Sequence, residues 1–359
     1  MIEEIYHRPP IRIALMGVGR SMISEHLEVF RKHPGLFEVV CACDPLKERR
    51  DIVKKSFPKC KMYRDFRDML NERNIDLIDI ATPTYMHLKD VLLALEYNSW
   101  TLIESPMTIT PDEAAIVKGA AARKKNRLIV LQRGMFNADF LLAKQEMLDK
   151  RLGAIHNIEI HREDYVRRDD WQTIRHTGGG ACYYAMPDLI LQALKLLPAP
   201  PVQLWSELKR VASVGETEDV VKLCIKTREP ITAEVEYSGA VLPMDRGPSF
   251  KLWGEFGSFT TMPGAKEGLL RVVDPKFAWP RRRSSVRTPK LKSLHEDLPI
   301  VEETIKLPPN TLSGPSAFWK HVYDSVRTGV PFPITVDDAI DSLKLVYLIK
   351  KNSPYASGK

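Results

Sequence analysis

The earliest residues with evident chemical use are Gly17-Val18-Gly19-Arg20-Ser21-Met22, which follow directly on the apolar run IRIALM. Glycine at 17 permits a tight turn, and glycine at 19 lets backbone approach a pyrophosphate. A helix opening there aims its first N–H groups at phosphate oxygens. Met22 stands where the usual third glycine falls, so the fingerprint is incomplete. Asp44 closes the next apolar run, 22 residues beyond Met22. An acidic residue at about that spacing accepts hydrogen bonds from the adenosine ribose. Its charge repels a 2′-phosphate and favours NAD, while Arg49 and Arg50 on the next helix leave NADP open. The competing reading of Asp44 is a helix N-cap before Pro45.

A phosphate-binding turn needs a strand before it and a helix after it. The first third of the chain supplies a series of such units. IRIALMG (11–17), FEVVCACD (37–44), DLIDIATPT (76–84), WTLIESP (100–106) and RLIVLQR (127–133) read as buried strands. Amphipathic stretches between them read as helices, one opened by Thr110 as N-cap with Pro111 at its first position. Continuous apolar strands separated by helices predict a doubly wound parallel sheet, an α/β Rossmann domain over residues 1–134.

Beyond about residue 152 the period changes to two, over 156–164 and in parts of 201–211, 219–226, 231–239 and 249–254. This predicts an α+β domain over 135–359 with a large open, mostly antiparallel sheet, covered on one face. One helix is expected at about 184–196. A last one at 334–352, opened by Thr335 before Asp337 and Asp338, is placed to pack back on the Rossmann domain. Residues 263–300 either cover the site or extend the sheet edge.

Composition narrows the classes. A hydrophobic fraction of 44% excludes wholesale disorder. No apolar run nears the ~20 residues of a membrane span, and the N-terminus lacks a signal pattern, so a cytoplasmic location is expected. Cys41, Cys43, Cys60, Cys182 and Cys224 contain no CxxC pair and read as free buried thiols, with no metal site. The net charge of +7 is dispersed except for Arg281, Arg282, Arg283, Arg287, Lys290 and Lys292, which read as a solvated loop and not as a nucleic-acid surface.

Four further segments, in order, resemble the Gfo/Idh/MocA dehydrogenases (glucose–fructose oxidoreductase, inositol dehydrogenase and their relatives). After the GVGR turn come Ala81-Thr82-Pro83-Thr84-Tyr85-Met86-His87, matching A-T-P-x-x-x-H, and Glu104-Ser105-Pro106 in place of E-K-P. Next come Trp171 and Gly178-Gly179-Gly180, matching W…GGG-x-L-x-D-x-G-x-H, and lastly Pro331 to Ala339. The resemblance implies NAD(P)-dependent redox chemistry on a sugar, cyclitol or nucleotide-sugar alcohol or ketone, and a homodimer or homotetramer formed through the open sheet face. It places Gly17, Gly19, Arg20, Ser21, Met22, Asp44, Thr82, Pro83, Thr84, His87, Glu104 and Pro106 around the cofactor.

Members typically use the lysine of E-K-P and the histidine after the glycines to polarise the substrate oxygen and move its proton. Here Ser105 holds the lysine position, and the Asp, Gly and His positions fall on Tyr184, Met186 and Asp188. Ketone reduction still needs a proton donor. Tyr183, Tyr184, Asp188 and Ser105 are the candidates. A cation such as Arg133, Arg175 or His176 would make a tyrosine a better acid; these three and Trp171 are the candidate substrate contacts. The tyrosines and Asp188 also have plain readings, as packing residues and as an early-helix carboxylate. An NAD(P)-dependent oxidoreductase is expected. The alternative is a catalytically degenerate dinucleotide-binding protein, acting as a sensor or partner subunit.

Overall fold

The structure, a computed structural model, describes residues 8–125, 127–279 and 297–356. The apolar runs of the first third form β1 (Ile11–Met16), β2 (Phe37–Cys43), β3 (Lys61–Tyr63), β4 (Leu77–Ile80), β5 (Trp100–Ile103) and β6 (Leu128–Val130). All pairings among them are parallel, in the order β3-β2-β1-β4-β5-β6. The connections are α1 (Leu27–Lys32, led in by a π-helical turn over Met22–His26), α2 (Lys47–Ser56), α3 (Phe66–Met69), α4 (His87–Leu95) and α5 (Pro111–Arg123). These helices cover both faces, which is why the strands are apolar throughout. Strand order reverses between β1 and β4, opening a crevice at their carboxyl ends. Thr110 caps α5 in a reciprocal box: its hydroxyl accepts the Glu113 N–H at 3.2 Å, and the Glu113 carboxylate accepts the Thr110 N–H at 3.2 Å. Such a cap contributes about 1 kcal/mol. β3, three residues at a sheet edge, is too short to leave a pattern.

The chain then builds α6 (Ala138–Asp149), β7 (Ile155–Glu163), α7 (Ala181–Tyr184), α8 (Met186–Leu196), β8 (Gln203–Lys209), β9 (Val220–Lys226), β10 (Thr232–Ser238), β11 (Phe250–Gly254), β12 (Gly257–Thr261), β13 (Glu267–Val273) and β14 (Ile300–Lys306). The eight strands run in the order β14-β13-β12-β11-β7-β10-β9-β8, antiparallel except for the β7–β10 pair. Helices α6 and α8 cover one face. The other exposes Trp205 and Trp253 among polar pairs, including Glu159–Lys251 at 2.9 Å and Lys222–Glu236 at 3.1 Å. The 263–300 stretch extends the sheet edge through β13. Its basic cluster lies outside the described residues.

Two helices end the chain. α9 (Gly314–Thr328), absent from the expectations above, packs on the first sheet. Its Trp319 ring lies 4.6 Å from Phe30 and 5.5 Å from Phe37, and Arg327 reaches Asp76 at 2.6 Å. Burying each large ring there contributes about 1.5–3 kcal/mol. α10 (Val336–Lys351) starts at the Thr335–Asp338 capping box and lies between α8 and α5. Lys195–Asp338 (2.6 Å) and Lys118–Asp337 (2.5 Å) tie it to both. All five cysteines are free, and burial pushes the Cys41, Cys43 and Cys60 thiols up to about 12. Among the described residues no helix is long and apolar enough to cross a membrane, and no cluster of three or more His, Cys, Asp or Glu is placed to hold a metal.

Candidate active site

β1 runs straight into the glycine turn. Gly17 takes φ +82°, and a side-chain carbon there would lie 2.9 Å from the Ala81 backbone. Its N–H donates to the Cys43 carbonyl at 2.9 Å, so the turn is pinned to the end of β2. Gly19 is the open position: the nearest atom to an added carbon is Ala81 O at 3.7 Å. The first intrahelical bond runs from Ile23 N–H to Gly19 O, so the amides just before it lack helical acceptors. Asp44 is buried at 2% exposure. Its Oδ2 accepts the Val18 N–H and its Oδ1 the Leu46 N–H, both at 2.9 Å. It therefore closes the turn just ahead of α2, whose N-cap is Leu46 and not Asp44, and braces the phosphate turn in one step, with Arg49 3.5 Å away. A ribose hydroxyl would share oxygens already bound to the chain.

The carboxyl ends of β4 and β5 carry the next group. Thr82 donates its hydroxyl hydrogen to Asp90 at 2.7 Å. Both His87 ring nitrogens meet carbonyls, Thr82 O at 2.8 Å and Pro106 O at 2.9 Å, and burial holds its pKa below the ordinary value. His87 thus joins the Ala81–His87 loop to Glu104-Ser105-Pro106 from behind. Thr84 is buried against Gly178. Glu104 accepts from the Ser21 hydroxyl and lies 3.3 Å from His26 Nε2 and 3.8 Å from Arg133. Burial pushes the Glu104 carboxyl up, and His26 and Ser21 more than offset this, leaving it below the usual range. His26 Nδ1 meets Asp79 at 2.7 Å. Burial alone would lower the imidazole, but Asp79 and Glu104 outweigh it and raise it to about 10. Ser105 Oγ is buried with no hydrogen-bond partner.

The opposite wall is the glycine run and the head of α8. Glu218 and Lys350 form a buried ion pair against it; Glu218 also accepts the Cys182 N–H at 3.0 Å and Lys350 donates to Gly179 O at 3.1 Å. Tyr183 is buried beside Lys350, its ring 5.7 Å from Nζ. Tyr184 stands perpendicular to Tyr237 at 5.5 Å. Burial pushes both phenols far up, and the cation over Tyr184 is Arg168, at 4.5 Å. Neither tyrosine is an effective acid in this setting. Arg175 is drawn to Glu216 O (3.1 Å) and Pro354 O (3.4 Å) at the other end of its loop, and His176 is exposed. Trp171 meets Tyr85 edge-on at 6.2 Å.

Asp188 behaves differently. Its Oδ2 accepts the Gly134 N–H at 3.2 Å, and its Oδ1 is closed from solvent without a partner. Burial raises its pKa despite Arg133 and the Gly134 N–H. Arg133 itself pairs with Glu25 and faces Glu104, between the two walls.

Residues 11–132 match the NAD-binding Rossmann-fold domain of the Gfo/Idh/MocA oxidoreductase family, and residues 140–260 match that family's C-terminal domain. The chain belongs to the Gfo/Idh/MocA family. A scyllo-inositol 2-dehydrogenase (NADP(+)) of Bacillus subtilis is 21% identical over 96% of this chain and 94% of its own. An uncharacterized oxidoreductase of Schizosaccharomyces pombe is 30% identical over 220 residues, 60% of either chain, so the match spans about three fifths of that relative. Among solved structures, an NAD-binding protein from Listeria innocua superposes with a TM-score of 0.79 at 21% identity, over 96% of this chain and 98% of its own. The WlbA dehydrogenase of Bordetella pertussis, solved with NADH and UDP-GlcNAcA, gives 0.73 at 18%, over 96% and 95%.

A nicotinamide dinucleotide is the cofactor of this Gfo/Idh/MocA member. The glycine cradle, with Gly19 open and the helix amides unmatched, fits its pyrophosphate. Several residues of the member's site carry no sequence signal of their own. Glu218 and Lys350 lie 132 positions apart. Arg162 and Arg168 sit in a stretch rich in charge, where only the fold singles them out. His26 and Asp79 were readable as polar residues inside apolar runs, which is uncommon without a partner.

Proposed function

We propose that the protein is an NAD(P)-dependent oxidoreductase interconverting an alcohol and a ketone on a sugar-like substrate, with Asp188 in the proton-transfer role that the family gives to histidine. The observation that carries this reading is Asp188 itself. It is a carboxyl with a raised pKa and a free, solvent-shielded Oδ1 at the head of α8, held in place by the Gly134 N–H and facing Arg133. When bound, the nicotinamide supplies or accepts the hydride. The chain's residues do the rest. Asp188 holds the proton that the nascent alkoxide needs, and Arg133 offers positive charge to the oxygen. Ser105 Oγ, without a partner, is available as a hydrogen-bond donor. The sugar-like class draws support from the inositol dehydrogenase relative and from the nucleotide sugar held by WlbA. We place self-association on the exposed sheet face around Trp205 and Trp253.

The test is NADH and NADPH oxidation against a panel of keto-sugars and keto-cyclitols. Asp188→Asn is expected to lower kcat about 10²–10⁴-fold without changing cofactor affinity. Reduction requires protonated Asp188, so its rate holds below the raised pKa and falls as pH climbs through it; the oxidation direction shows the opposite trend. Asp188→Asn should abolish that limb. Dinucleotide binding with no turnover of any carbonyl would favour the second reading, a sensor or partner subunit, to which the missing lysine and the high-pKa tyrosines already lend weight.

A further inference from the structure

The sheet beside Asp188 carries two arginines stacked on aromatic rings. β7 and β10 are parallel neighbours in which Arg162 partners Tyr237. Both side chains continue the face that buries Ile158, Ile160, Ala233 and Val235. Arg162 lies over the Tyr237 ring at 5.9 Å and Arg168 over the Tyr184 ring at 4.5 Å, and the two tyrosine rings meet edge to face at 5.5 Å. Two guanidinium groups therefore sit on one joined aromatic platform.

Their counter-charges are engaged elsewhere. Asp164 is 3.6 Å from Arg162 but 2.6 Å from Arg246. Asp170 is 3.7 Å from Arg168 but 2.6 Å from Arg20. Four arginines thus share two carboxylates. Arg168 Nε is moreover buried with no acceptor among the described residues, and an incoming acceptor relieves such a loss. A cavity of about 240 Å³ adjoins this surface, lined by Arg162 and Arg246 and also by Asp164, Asp139 and Glu163, the last two of which accept the Gly264 and Gly247 N–H groups. Asp188, in turn, lies within the field of Arg162.

We propose that the substrate carries an oxyanion, a carboxylate or a phosphate, which Arg162 and Arg168 hold over the Tyr184–Tyr237 pair while the carbinol carbon lies toward Asp188. This rests on the oxidoreductase reading of the same site. Guanidinium planes match carboxylate and phosphate oxygens in bidentate fashion, a match that a neutral hydroxyl does not offer. A purely structural role for the two arginines, stiffening the tyrosine pair, would leave affinity indifferent to substrate charge.

The experiment is calorimetric binding to the full-length protein saturated with NADH or NADPH, using matched ligands: glucose, glucuronate and glucose 6-phosphate, then inositol and inositol phosphate. At least one anionic member should bind ten or more times tighter than its neutral parent; whether glucuronate or the phosphates win identifies the source of the oxyanion. Arg162→Gln and Arg168→Gln should each remove most of that preference while leaving the neutral ligand within about twofold. Arg168→Lys, which keeps the charge and much of the packing, should retain part of it. Melting curves establish that each variant is folded. Equal affinities within every set, or no binding by any anionic member, overturns the proposal. Anion binding without turnover by either cofactor leaves it standing and removes the redox reading instead.

Discussion

Two glycine turns belong to the two walls of this site, and the space each keeps clear is used differently. At Gly17-Val18-Gly19 only the first glycine is crowded; at Gly19 nothing lies closer than 3.7 Å to an added carbon, and the room is left for a ligand. At Gly178-Gly179-Gly180 every position is taken by the protein. A carbon on Gly178 would meet Ile109 at 3.0 Å, one on Gly179 the Gln172 and Ile174 carbonyls at 2.5 Å, and one on Gly180 the Glu218 carboxylate and Lys350 Nζ. The first turn binds through its own backbone, so it reads the same whatever the substrate. The second is scaffolding that sets where α7 and α8 begin, and the chemistry is left to side chains that substitution can change. Asp188 stands on the second wall, at the head of α8, while Ser105 stands on the first, just beyond β5.

The largest expected effect tests the scaffolding half. Lys350→Met leaves the Glu218 carboxylate buried with no cation, a loss of about 3–5 kcal/mol that denaturant unfolding should register. Affinity for NADH should barely change. Replacing both partners, Lys350→Met with Glu218→Leu, should recover much of the stability, because an apolar pair of similar volume avoids the buried charge. A Lys350→Met protein as stable as the parent would mean that the glycine run is not organised around that pair.

A smaller effect of the opposite kind is expected at Gly19. Gly19→Ala has room in the free protein, so its melting temperature should stay within a degree or two of the parent. The methyl stands where a pyrophosphate must approach backbone, and NADH affinity should fall by about tenfold to a hundredfold, read by nicotinamide fluorescence. Loss of stability with affinity intact would erase the contrast between the two turns.

Legibility follows the same divide. The Rossmann sheet could be read because each strand and its helix are consecutive and the apolar runs are uninterrupted. Thr110 and Thr335 announced their helices because capping is local. β14 was hidden because six of its seven residues are exposed, which leaves no alternation. α9 was missed despite usable marks, Pro315 at its start and Gly329 in the left-handed conformation at its end. On the reaction wall, the sequence placed Asp188 in register but carried nothing of its burial. It also grouped Tyr183 with Tyr184, although consecutive positions of α7 point to different sides of the helix, one toward Lys350 and the other toward Tyr237. Arg175 was an equally reasonable candidate until its loop turned it toward Glu216.

The smallest expected effect concerns cofactor choice, where the backbone-built wall does use side chains. Asp44 was expected to favour NAD by repelling a 2′-phosphate. In the structure both its oxygens accept backbone N–H groups, and it is nearly solvent-free, so its charge is largely spent on the Val18 and Leu46 amides. Arg49, half-exposed and 3.5 Å from that carboxylate, is the nearest cation able to turn toward a phosphate, while Arg50 is held by the Asp44 and Pro45 carbonyls at 2.5 and 3.0 Å. Arg49→Ala should therefore weaken NADPH about fivefold to tenfold, the scale of one exposed charge contact, and leave NADH within twofold. Raising the salt concentration should shrink the same difference in the parent protein, because the contact is open to solvent. If Arg49→Ala weakens both dinucleotides equally, the residue acts by bracing Asp44 and the turn behind it. The ribose end of this site would then be built from backbone as thoroughly as its pyrophosphate end.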